Sequence, residues 1–212
     1  MEEVTKRYYE KRAEILVRNL RRRHCEAYYC ATGEEALQKA LELIPEGATV
    51  GWGGAMSAHQ IGLPEALNEG NYVTLDRDKL PTREEKEALA HRCFDADWFL
   101  TGANALSMDG QMVNIDGNGN RVAAIIYGPA NVLVIAGMNQ VCDTLEDAMH
   151  RARTVAAPMN QQRFLGSTPC TQTGMCGDCL SDNCICNQIV ITRNSRIPGR
   201  IKYILVGEEL GF

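Results

Sequence analysis

Short apolar runs recur along the chain, separated by amphipathic stretches. This alternation limits the folds open to it more than any other feature. "ATVGW" (48–52), "ADWFL" (96–100), "NVLVIAG" (131–137) and "IKYILVGEEL" (201–210) are bounded by Gly, Asn or Asp and rich in β-branched or aromatic residues, so they read as strands. "EAYYCA", "YVTLD" and "QIVITR" add shorter ones. Between them the pattern switches to helix. Tyr9, Ala13, Leu16 and Leu20 form one face of a first helix. Thr32 and Glu35 stand at capping-box spacing ahead of a second, Thr82 opens another, and a turn at Asp143–Thr144 begins a fourth. "QMVNID", the turn "GNGN" and "RVAAIIYG" predict a hairpin over 111–128. The expected fold is therefore α/β: a mostly parallel open sheet covered by helices, with an antiparallel hairpin and a Cys-rich C-terminal loop. Residues 1–212 read as one domain, with 168–188 as a Cys-rich insertion.

The net charge of −5 lacks the basic excess that drives non-specific nucleic-acid binding, so no nucleic-acid partner is expected. No apolar run is long enough for a membrane span. The charged start "MEEVTKRYYEKRAE" has no secretory apolar region, so a cytoplasmic location is expected. Thiols stay reduced there, and clustered cysteines then point to metal or redox chemistry more than to disulfides.

The chain has nine cysteines, and Cys170, Cys176, Cys179, Cys184 and Cys186 fall within "TPCTQTGMCGDCLSDNCICNQ". Cys176 and Cys179 make a C-x2-C knuckle whose turn at Gly177 lets both thiolates face one ion. Cys184 and Cys186 share a face if the chain is extended and complete a four-thiolate set, with Cys170 as a spare or alternative ligand. Zinc and an iron–sulfur cluster both fit such a set. A thiol redox pair and inert thiols remain open. Cys25, Cys30, Cys93 and Cys142 lie on apolar or helical segments and read as small core residues.

"VGWGGAMS" passes from a strand into a helix. Gly53 and Gly54 allow close backbone approach there, and backbone N–H groups with the Ser57 hydroxyl are suited to a small anion. A plain tight turn explains the glycines equally well. Asn104, Asp109, Asn114 and Asp116 crowd polar groups beside apolar strands, where open sheets bind ligands. Turn chemistry accounts for Asp116 and its neighbours without any ligand. Trp52 reads as buried with its N–H partnered, and His59 as a helix-surface histidine. No nucleophile elbow of the G-x-S-x-G type occurs, and no catalytic residue is assigned.

The ordered set "GWGGAMS", "ADWFLTGANALSMDGQMVNIDGNGNRVAAIIYGP", "AAPMNQQR", "TPCTQTGMCGDC" and "ILVGEELGF" resembles the LUD-domain family of lactate-utilisation proteins over nearly the whole chain. That resemblance implies a fold like the ribose-phosphate isomerase and CoA-transferase superfamily, with the glycine turn at a ligand cleft. It also implies a role in lactate or organic-acid metabolism beside oxidoreductase and iron–sulfur partner proteins. The chain departs from the superfamily's enzymes. No catalytic Cys–Asp pair of the isomerase kind is evident, and Glu208 and Glu209 lack the context of a CoA-transferase nucleophile. The leading expectation is a protein that binds a small anionic ligand and a metal or iron–sulfur centre in a redox system, with a homodimer as the default assembly. A stand-alone enzyme on a phosphorylated or CoA-linked molecule, with Asp109 or Asp116 as base, and a non-catalytic scaffold with structural zinc are the alternatives.

Overall fold

The computed structural model describes residues 2–164 and 166–212. The first half runs α1 (Glu3–Arg22), β1 (Glu26–Cys30), α2 (Gly33–Leu43), β2 (Thr49–Trp52), α3 (Met56–Gln60), α4 (Leu63–Glu69), β3 (Val73–Leu75), α5 (Arg83–Arg92) and β4 (Trp98–Thr101). There follow β5 (Ala105–Ser107), β6 (Met112–Asp116), α6 (Asn120–Tyr127), β7 (Asn131–Gly137), β8 (Val141–Cys142), α7 (Leu145–Arg151), α8 (Ala157–Gln161), α9 (Pro169–Thr173), β9 (Gln188–Thr192) and β10 (Ile201–Val206).

Local chemistry sets the helix starts. The Thr32 hydroxyl accepts from the Glu35 N–H at 3.2 Å. Thr82 and Glu85 cap each other reciprocally, as do Thr144 and Asp147.

Six strands form a fully parallel sheet in the order β1-β10-β7-β4-β2-β3. Helices cover both faces, so its central strands are buried throughout. Along β7, Leu133 and Ile135 join Val50, Leu100, Ile204 and the residues of α2 and α4 on one face. Val132, Val134 and Ala136 pack on the other face with Tyr203, Leu205 and the Leu16–Leu20 side of α1. That strict alternation locks the register, because a slip of one residue would exchange the two cores.

A second sheet, β8-β5-β6-β9, was not expected as a separate layer. The antiparallel hairpin is present in it, but as β5 with β6. The hairpin expected over 111–128 is not formed, because the "GNGN" turn feeds helix α6 instead of a second strand. The cause is local. The Asp116 carboxylate accepts from the N–H groups of Gly119 and Val122, at 3.3 and 3.1 Å, which caps a helix. Gly119 supplies the left-handed φ of 83° that turns the chain into it. Arg121, Val122, Ala124 and Ile125 then face inward, a helical spacing that an unbroken apolar run conceals.

Between α7 and α8 the helix widens into a π-turn at Ala152–Ala156. Pro158 follows at once. It has no N–H for the carbonyl four residues back, and its ring would press against that carbonyl in a regular helix. Among the described residues, no helix is long and apolar enough to cross a membrane.

The sheet core predicts a large cost for truncating its centre. Leu133→Ala should destabilise the chain by about 2–5 kcal/mol, read as a lower urea midpoint with an unchanged slope.

Candidate functional site

A cavity of about 240 Å3 opens beyond the carboxyl ends of the parallel strands. Gly53 and Gly54 reach it from β2, Arg77 from β3, Gly102–Asn104 from β4 and Gln140 from β7. Asp116 and Arg121 contribute from β6 and α6, and Arg163 with Phe164 from just past α8. This is where open α/β sheets place ligands.

Arg121 organises its wall. The side chain is buried, and each terminal nitrogen is held twice. Nη1 donates to Asn114 Oδ1 at 2.7 Å and to the Gly102 carbonyl at 3.3 Å. Nη2 donates to the Ile115 carbonyl at 2.7 Å and to Asn104 Oδ1 at 3.1 Å. Asp116 lies 3.7 Å from Nε. Burial draws the guanidinium below its usual pKa and Asp116 opposes this; an arginine stays charged regardless. The glycine turn is shaped to this side chain. Gly54 has φ 58°, and a Cβ there would meet Arg121 Cδ at 2.6 Å. Gly54 is therefore needed for packing as well as for turning.

Of the residues that the sequence singled out, Gly53, Gly54, Ser57, Asn104 and Asp116 line the cavity together. Asn114 lies behind the wall, fully buried, with Oδ1 on Arg121 and Nδ2 without a partner among the described residues. Asp109 is not brought to the cavity. It closes the β5–β6 turn, accepting from the Ser107 hydroxyl, from Gln111 Nε2 at 2.9 Å and from Arg23 Nη2 at 2.8 Å. Trp52 is buried as expected, but its Nε1 also has no partner among the described residues. His59 faces Glu65, with Nδ1 3.6 Å from Oε1. Glu208 accepts from the Gly33 N–H at the start of α2.

Arg77, Arg163, Phe164 and Gln140 escaped sequence reading. Arg163 ends the "AAPMNQQR" motif, the one signal that pointed to it. The others come from connections with no distinctive spacing.

A second cavity of about 110 Å3 is lined by Cys170, Cys176, Cys179, Cys184 and Cys186. All five are free thiols. The pairing of β6 with β9 and the bond from Asn187 N to the Asp116 carbonyl, at 3.0 Å, draw this loop against the first cavity. Cys184 and Ile115 line both cavities. The Cys186 N–H donates to Cys184 Sγ at 3.3 Å, and Thr168 Oγ1 lies 3.3 Å from Cys170 Sγ. Burial pushes the Cys186 thiol up to about 12, helped by the neighbouring sulfurs of Cys184, Cys176 and Cys170. Ser181 holds the Cys179 thiol below its usual range. Among the described residues, no three His, Cys, Asp or Glu side chains are arranged to hold a single metal ion. Cys25, Cys30 and Cys93 are buried and Cys142 half-buried, away from this loop.

The parallel sheet with a ligand cavity at its carboxyl edge defines an open α/β protein. A family model described as the LUD domain matches residues 13–206, so the chain belongs to the LUD-domain family. The fold is similar to the crystal structure of a DUF162 family protein from Deinococcus radiodurans, with a TM-score of 0.55 and 12% identity. That match covers 93% of this chain and 97% of the other. No curated protein matches the chain.

Arg121→Ala should cost about 3 kcal/mol, since it strands two side-chain carbonyls and two backbone carbonyls in the interior. Arg121→Lys should recover little, because an ammonium lacks the planar fork. Chemical denaturation of both variants checks this. Asp109 makes a pH-dependent contribution. Burial pushes its carboxyl up, but hydrogen bonds from Ser107 and Gln111 and the charge of Arg23 outweigh that and hold it below the usual range. A depressed folded pKa gives stability that is present above about pH 4 and lost as pH falls through the folded value. Asp109→Asn should therefore destabilise at neutral pH, by under about 1 kcal/mol because the side chain is half-exposed. The difference from wild type should vanish near about pH 2.

Proposed function

We propose that this LUD-domain protein binds a small organic anion of the lactate class in the arginine-lined cavity. In the same reading the cysteine cavity holds a metal or redox centre, and the chain works beside oxidoreductase or iron–sulfur proteins in organic-acid utilisation. One observation carries this reading: Arg77, Arg121 and Arg163 line a cavity beside the Asp116 side chain and the last residue, Phe212, and that cavity shares Cys184 with a pocket of five thiols.

The division of labour follows from the hydrogen bonds. Both terminal nitrogens of Arg121 are taken up by protein acceptors, so its main role is a fixed positive field in the site. Arg77 and Arg163 are freer. Among the described residues Arg163 has one hydrogen-bond partner, Asn160 Oδ1 at 3.3 Å, and lies over the Phe164 ring at 5.9 Å, and Arg77 lies 4.0 Å from Asp78. These two guanidinium groups are the ones able to turn onto a carboxylate in bidentate fashion. Ser57 and Asn104 then orient the remaining polar atoms of the ligand. A general base at Asp109 or Asp116 has less support, since Asp109 closes a distant turn and Asp116 is engaged by α6 and Arg121.

The measurement is a thermal-shift titration with L-lactate, pyruvate and inorganic phosphate. An anion at 100 times its dissociation constant should stabilise the fold by about 2.7 kcal/mol, and Arg163→Ala should remove most of the shift. No rise in melting temperature with any small carboxylate would sink the reading.

A further inference from the structure

The cysteine cavity has the wrong dimensions for one ion and the right surroundings for a larger occupant. Four thiolates on a single zinc each lie about 2.3 Å from it, which puts the sulfurs about 3.8 Å apart and leaves no water-sized space between them. Here the five thiols line a cavity of about 110 Å3 together with Gln161, Ile115, Ala157 and Pro158, and among the described residues no three ligand side chains are arranged to hold one ion. A polynuclear cluster spreads its cysteine ligands to its outer corners, with bridging sulfides filling the middle.

A second, independent feature points to the same occupant. Gln161 lines this cavity and is only 1% exposed, yet its Nε2 has no hydrogen-bond partner among the described residues. A buried amide left unpaired costs free energy, so such a donor belongs opposite an acceptor. The neighbouring wall includes the apolar side chains of Ile115, Ala157, Pro158 and Ile189. A sulfide is an acceptor of the kind required, and N–H donors to cluster sulfurs tune the potential. The Cys186 N–H already serves Cys184 Sγ in this manner.

We infer that the loop holds a polynuclear iron–sulfur cluster, ligated by four of its five cysteines including Cys184 and Cys186, with the Gln161 amide donating to a cluster sulfur. This rests on the reading of the cysteine cavity as a metal or redox centre and names which centre it is. Because Cys184 and Ile115 line both cavities, those residues form the partition between the cluster and the arginine-lined cavity.

Protein produced and purified without oxygen, then supplied with iron and sulfide, tests this. It should carry more than one iron and a matching amount of acid-labile sulfide per chain, with visible absorption that bleaches on dithionite. Cys184→Ser and Cys186→Ser should each lose most of the iron while the far-ultraviolet circular dichroism is retained. Gln161→Leu should keep the iron and move the midpoint potential to more negative values. One zinc per chain, or iron without sulfide, overturns the cluster. An unchanged midpoint in Gln161→Leu overturns the role of the amide. The anion-induced melting shift is read separately on the same samples, so failure of the anion site and failure of the cluster are told apart.

Discussion

A buried guanidinium governs the ligand end of this molecule. Taking a charge out of water is expensive unless every donor finds an acceptor. Arg121 meets that condition at both terminal nitrogens by collecting groups from four places: Gly102 after β4, Asn104 before β5, and Asn114 and Ile115 within β6. Each partner is thereby fixed relative to the others. Gly54 completes the arrangement by leaving room for the arginine stem. Loops that would otherwise move independently become a single wall, and the cavity inherits the rigidity of the strands behind it.

The second sheet explains how the sulfur-rich loop comes to the same place. β9 runs antiparallel to β6, whose last residue, Asp116, both caps α6 and accepts from Asn187. One short strand thus holds the arginine-lined cavity on one side and the end of the cysteine segment on the other. The shared lining by Cys184 and Ile115 follows from that pairing. Burial and the neighbouring sulfurs push the Cys186 thiol upward, whereas Ser181 draws the Cys179 thiol down.

The parallel sheet is legible in the sequence because its strands are buried on both faces, so each appears as a compact apolar run between helices with clear caps. The same logic misleads at "RVAAIIYG". An apolar run carries no period of its own, and the carboxylate of Asp116, five residues earlier, decides for helix. Asp109 shows another limit. Its type and spacing suit a ligand site, but register places it at the far turn of the β5–β6 hairpin, and register is a tertiary property. Arg77 and Arg163 lie on connections whose destination only the assembled sheet reveals. The cysteine loop was visible from spacing alone, whereas the width of the space it encloses was not.

The π-turn at Ala152–Ala156 has a consequence for both cavities. It acts as a phase adjuster: one surplus residue in the helical ladder sets the azimuth of everything up to Phe164. Were the same residues wound as an uninterrupted α-helix, the downstream segment would be turned by roughly 100°, swinging Gln161 out of the sulfur pocket and Arg163 off the rim of the arginine-lined cavity together. The two chambers are thus indexed by one irregularity.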